Sequence, residues 1–138
     1  MKIASIDIGT NAIKSKIFET TPSSIIFIGG IRSPIRLGDE VFKNNLLSDT
    51  KLNQIVKTIK KYQKTFKNVG VELYEIVATS AFRNSNNSED ARRYLENKIN
   101  HPVRIISGLE EAKLISYHPK KSLGTRIWSE ARELVGTT

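Results

Sequence analysis

The chain has 138 residues, which is one domain by length; 38% hydrophobic and 26% charged residues make it an ordinary globular chain rather than a disordered one. It has no cysteine, which excludes disulfides and thiolate metal sites and fits a reducing cytosol. Its longest apolar run, Ile25–Ile28, is far too short to span a membrane, and a net charge of +8 favours phosphate-bearing partners without choosing among nucleic acid, nucleotides, polyphosphate and anionic lipid.

In chain order, Lys2–Ile8 reads as a strand and Asp7-Ile8-Gly9-Thr10-Asn11 as a turn. Ile13–Glu19 is a second strand, with Ile13, Ser15 and Ile17 on one face and Lys14 and Lys16 on the other. Ser24–Ile31 is a third strand, so the chain opens with an antiparallel meander. Ser33–Asn45, with Pro34, Gly38 and paired asparagines, is expected to be irregular. Ser48 is placed to cap a helix running to about Lys67, whose stripe of Leu52, Ile55, Val56, Ile59, Tyr62 and Phe66 faces inward. Lys57, Lys60, Lys61, Lys64 and Lys67 form its solvated face, and Gly70 suits a left-handed terminator.

Val71–Thr79 is a fourth strand and Ser80–Asn87 a polar loop; Ser88 is the expected cap of a helix over Glu89–Asn100. Val103–Ile106 is a fifth strand, followed by a short helix from Gly108 to about Tyr117. His101 and His118 sit beside prolines in chain breaks, without metal-ligand spacing. Leu123, Ile127, Trp128, Ala131, Leu134 and Val135 give one more amphipathic stripe. The order is βββαβαβα plus a terminal helix, an α/β fold with a mixed five-stranded sheet flanked by helices.

The first turn has the chemistry of an anion site. Gly9 permits a tight turn and close approach of a ligand to the backbone, consecutive N–H groups can form a nest, and Thr10 and Asn11 add donors. Asp7, at a strand end, could hold a metal, orient water or brace its own turn. Arg83 could clamp phosphate oxygens in a fork, and Glu110 and Glu111 would suit a first helical turn on dipole grounds alone.

Ile6-Asp7-Ile8-Gly9-Thr10-Asn11-Ala12-Ile13-Lys14 resembles the opening phosphate loop, D-[IL]-G-[ST]-N-[ST], of the exopolyphosphatase/guanosine-pentaphosphate phosphohydrolase (Ppx/GppA) family. Arg36-Leu37-Gly38 is similar to that family's R-L-G segment. Ala78-Thr79-Ser80-Ala81-Phe82-Arg83 is similar to A-T-[SA]-A-x-R, and Ile105–Ala112 to I-[IL]-[ST]-G-x-E-E-[AG]. Four blocks in order cover roughly residues 2 to 117.

The resemblance implies a ribonuclease-H-like half of the actin/sugar-kinase/Hsp70 superfamily. It implies phosphate binding by Asp7, Gly9, Thr10, Asn11, Thr79, Ser80 and Arg83, with a lesser part for Arg36. It implies Glu111 as the base that activates the attacking water, with Glu110 as second choice, and Mg²⁺ as cofactor with Asp7 as a ligand. The implied substrates are polyphosphate or guanosine penta/tetraphosphate, in the cytoplasm, without membrane or nucleic-acid partners.

The family's second phosphate loop, D-x-G-G-G-S, has no counterpart after Ser116, and no aspartate follows Asp90. Residues 1–117 therefore read as an N-terminal domain and 118–138 as a divergent basic linker and tail helix, with the second domain absent. Little activity is expected of such a chain alone; a homodimer partner or a separate second domain would complete its cleft. The alternatives are a non-catalytic phosphate or nucleotide binder and the remnant of a truncated gene.

Overall fold

The computed structural model describes residues 1–110. Five strands, β1 (Lys2–Ile8), β2 (Ala12–Thr20), β3 (Ile25–Pro34), β4 (Val71–Ala78) and β5 (Arg104–Ile105), form one sheet in the order β3-β2-β1-β4-β5. β1 pairs antiparallel with β2 and parallel with β4; β2–β3 is antiparallel and β4–β5 parallel. The sheet is thus mixed, as expected, with the first strand at its centre.

Four helices fill the connections: α1 (Leu37–Asn44), α2 (Asp49–Val69), α3 (Ser80–Arg83) and α4 (Ser88–Ile99). The parallel pairings need crossovers, which α1–α2 and α3–α4 supply. Residues 108–110 begin a further helical turn. The rest of that expected helix and the expected tail helix lie outside the described residues.

Period-two alternation divides the sheet faces. Ala4, Ile6 and Ile8 of β1 stand in register with Ile17, Ser15 and Ile13 of β2 and with Tyr74, Ile76 and Ala78 of β4. All of these but the polar Ser15 lie in or against one large core with Leu52, Ile55, Ile59, Tyr62 and Phe66 of α2, Ala81 and Phe82 of α3, and Ala91, Leu95 and Ile99 of α4. The opposite face carries a smaller cluster of Ile3, Phe18 and Ile25, with Met1 and Leu73 against it.

α2 forms as its stripe predicts. Ser48 caps it, accepting the Lys51 N–H at 3.2 Å, and Gly70 ends it at φ 84° with its N–H on Phe66 O. The lysines at 57, 60, 61, 64 and 67 are all exposed. Tyr62 is buried, and its hydroxyl donates to Ile13 O at 3.1 Å and meets Ser33 Oγ at 2.6 Å, fastening α2 to the sheet.

Several expectations need correction. Ser33–Asn45 is not irregular: β3 runs on to Pro34 and α1 follows. The start of α1 has no side-chain cap; Arg36, left-handed at φ 54°, turns the chain into it. The expected polar loop Ser80–Asn87 opens with α3, a single helical turn. Asn87, not Ser88, is the N-cap residue of α4, and its amide instead bonds both Leu47 N and Leu47 O at 2.9 Å. The fifth strand is two residues long rather than four.

Candidate phosphate site

The parallel strands β1, β4 and β5 end on the same edge of the sheet, so their following segments converge there. Each strand delivers one of the motif blocks. Gly9-Thr10-Asn11 leaves β1, Thr79–Arg83 leaves β4, and Ile106–Glu110 leaves β5.

Hydrogen bonds tie these segments together. The β1–β2 turn closes with Gly9 N donating to Ala12 O at 3.0 Å. A Cβ at Gly9 would lie 3.0 Å from that same oxygen, so the tightness of the turn is what asks for glycine here. Thr10 Oγ1 and Ser80 Oγ are 2.7 Å apart, linking the first turn to α3 across 70 residues of sequence. Thr79, buried at the start of α3, donates its N–H to Ile8 O at 3.2 Å and accepts the Arg83 N–H at 3.0 Å. Ile106 N donates to Ala78 O at 3.0 Å, and Arg83 Nη1 donates to Ile106 O at 2.9 Å. Arg83 thereby joins the second block to the third, and its Nη2 lies 3.9 Å from where a Cβ on Gly108 would be.

A fourth segment drapes over the first turn. Ile35 N and Arg36 N both donate to Asn11 O, at 2.9 and 3.1 Å, and Gly38 N donates to Thr10 O at 3.2 Å. A Cβ at Gly38 would fall 2.5 Å from Thr10 Cγ2, closer than real contacts allow. Gly38→Ala is therefore expected to destabilise the fold by about 1–3 kcal/mol through overpacking. Urea denaturation monitored by circular dichroism checks this; an unchanged midpoint would show that α1 can move off the turn freely. Arg36-Leu37-Gly38 is one of the four family-like blocks, but neither this contact nor the helix that begins within it was legible in the sequence.

Of the residues singled out in the sequence, Gly9, Thr10, Asn11, Thr79, Ser80 and Arg83 are brought together. Asn11 is exposed, and Gly9, Thr10, Ser80 and Arg83 are half-buried. Asp7 lies one residue inside the mouth, in register with Lys14 of β2 and Val77 of β4, and its Oδ1 is shielded from solvent. Arg36 is exposed at the rim.

Glu110 is engaged at the start of the helical turn that follows β5. Its N–H donates to Ser107 Oγ at 3.1 Å while Ser107 N donates to Glu110 Oε1 at 3.3 Å, a reciprocal capping box. Oε2 accepts Arg104 Nη1 at 2.6 Å, and Arg104 Nε also donates to Glu75 Oε1 at 2.8 Å. The Ser107 N–H first, and then Arg104, hold the Glu110 carboxyl below its ordinary range. The Ser-x-x-Glu spacing of Ser107 and Glu110 was the sequence signal for this. Glu111, the first choice for the base, lies outside the described residues.

His101 is a loop residue, as expected, and its ring stacks on Tyr74 with centroids 4.2 Å apart. It borders a recess beside β5 whose charged groups answer one another: Arg92 meets Glu89 and Glu96, and Arg104 meets Glu75 and Glu110.

Among the described residues no helix is long and apolar enough to cross a membrane, and no group of three His, Asp or Glu side chains is placed to cage a metal ion. One carboxylate such as that of Asp7, one residue inside the mouth, would suit Mg²⁺, which keeps waters and substrate oxygens and takes only one or two protein carboxylates.

Solved structures share this fold. A Ppx/GppA family member from Aquifex aeolicus superposes with a TM-score of 0.77 at 24% identity, covering 83% of this chain and 37% of that one. An exopolyphosphatase-like protein aligns at 0.74 and 29% identity, covering 82% and 34%. An exopolyphosphatase from Cytophaga hutchinsonii aligns at 0.76 and 23%, covering 83% and 36%. The chain therefore spans little more than a third of the length of these proteins. The Ppx/GppA phosphatase family model matches residues 4–134. The chain belongs to the Ppx/GppA phosphatase family.

Proposed function

We propose that this chain supplies one wall of a phosphoanhydride-hydrolysing cleft and grips the terminal phosphates of polyphosphate or of guanosine penta/tetraphosphate. The observation that carries the reading is the hydrogen-bonded convergence of the β1–β2 turn, α3 and the segment after β5 on one sheet edge. Backbone N–H groups and the hydroxyls of Thr10 and Ser80 would position the phosphate, with Arg83 neutralising its charge. Asp7 would hold Mg²⁺, which when bound screens the negative charge of the phosphate oxygens. Glu111 would accept the proton of the attacking water, Glu110 being committed to its capping box.

Catalysis of phosphoryl transfer needs charge neutralised and groups positioned from both sides of the cleft. No second loop of the D-x-G-G-G-S type occurs in the 138 residues. The pure chain is accordingly expected to bind phosphate chains while turning them over at background rate. Phosphate release from long-chain polyphosphate and from pppGpp with Mg²⁺ checks this. Robust turnover that Glu111→Gln abolishes would overturn the one-wall reading and indicate completion of the cleft by a second copy. Absence of binding to either ligand would overturn the phosphate reading itself. We place this work in the cytosol, in keeping with a chain free of cysteine.

A further inference from the structure

Phe42 is the most exposed large hydrophobic side chain among the described residues, at 84%. It is not a stray from a poorly packed helix: Leu37 and Val41, the other apolar residues of α1, are buried in the core. Side chains on a helix lean back toward its N-terminus, so a residue covers the position four before it. For Phe42 that position is Gly38, and the Phe42 ring lies 3.6 Å from where a Gly38 Cβ would stand. The same point is 2.5 Å from Thr10 Cγ2. The ring therefore lies over Gly38, the residue whose open side meets Thr10 of the β1–β2 turn.

The helix that carries the ring is held firmly at this end. Ile35, Arg36 and Gly38 each donate a backbone hydrogen bond into Thr10 or Asn11. A solvent-exposed aromatic ring thus sits on a helix whose first residues are bonded to the β1–β2 turn. Phe27, also exposed, cannot serve in this way: it pairs with Phe18, whose partner Ile3 lies at the opposite end of β1.

We propose that Phe42 is a specificity-determining residue, a stacking platform for the nucleobase of a phosphate-bearing ligand, and that it biases this chain toward nucleoside polyphosphates over bare polyphosphate. The proposal rests on the phosphate reading above. A chain of phosphates offers a ring nothing to stack on, whereas any base has a π-face, and the gain from such stacking is sequence-tolerant.

The test is isothermal titration of the full 138-residue chain with guanosine 5′-triphosphate and with inorganic tripolyphosphate, both with Mg²⁺. The wild type should bind the nucleotide more tightly. Phe42→Ala should weaken nucleotide binding on the order of tenfold and leave tripolyphosphate binding unchanged, while Phe42→Trp should preserve or tighten the nucleotide. Equal loss of both ligands, or no loss of either, would overturn the stacking role. So would an altered oligomeric state of Phe42→Ala with nucleotide affinity intact, which would make the ring a contact for another protein surface. Arg83→Ala reports separately on the phosphate site and should weaken both ligands alike; if tripolyphosphate affinity is unchanged while Phe42→Ala still weakens the nucleotide, Arg83 loses its phosphate role and the stacking role stands. If neither ligand binds the wild type, both fall.

Discussion

Phe82→Ala is expected to lower stability by about 3–5 kcal/mol, a large part of what a domain of this size has to lose. Phe82 is fully buried at the centre of α3, in the same core as Ile8, Ile76 and Ala78. Removing the ring leaves a cavity directly beneath the one-turn helix that holds Ser80 and Arg83. Two effects should therefore appear together. Urea unfolding should begin at lower denaturant, and tripolyphosphate affinity should fall even under conditions where the variant remains folded. Phe82→Leu, which fills most of the space, should recover most of both. A Phe82→Ala protein that lost stability but kept full affinity would show that α3 holds its shape without support from below.

The second large effect is expected from Arg83→Lys. The substitution keeps the charge but loses the planar fork, so a phosphate held by two parallel N–H groups would be held by a mobile point charge. Hydrogen bonds to charged groups contribute about 1.5–3 kcal/mol, which predicts a loss in tripolyphosphate affinity of about ten- to a hundredfold. The native contact of Nη1 with Ile106 O should be lost as well, at a cost near 1 kcal/mol of stability. Titration and urea denaturation on one preparation separate the two. Unchanged affinity with lowered stability would reduce Arg83 to a brace between β4 and the segment after β5.

Much of this architecture was legible in the sequence because its signals were local and redundant. The alternation of Ile13, Ser15 and Ile17 against Lys14 and Lys16 set the faces of β2, and those faces are observed. The α2 stripe, its Ser48 cap and Gly70 terminator agree with one another, so the helix was hard to mistake. α1 is not legible in the sequence, because its start carries no capping side chain and its stop is Asn45, left-handed at φ 56° and one of a loop-like asparagine pair. Its reason for being a helix is tertiary: Leu37 and Val41 fill the core, and Gly38 meets Thr10. α3 escaped because four residues are too few to show a period. The site residues were legible as motif blocks, but nothing local said that Thr10 would meet Ser80 or Arg83 would meet Ile106. The Ser107–Glu110 capping box is written in the Ser-x-x-Glu spacing, but the adjacent Glu111 gives the same local charge pattern and masks it.

The central position of β1 has a consequence for synthesis of the chain. Its antiparallel edge can zip to β2 as soon as residue 20 is available, but its parallel edge waits for β4, which ends at Ala78. At about 5–20 residues per second, translation leaves that edge without its partner for several seconds, and β4 in turn waits for β5. An open strand edge lined by Ile3, Ile6 and Ile8 is an invitation to pair with other nascent chains. The Thr10–Ser80 contact closes only after the same wait, so the β1–β2 turn is without its partner in α3 throughout that interval.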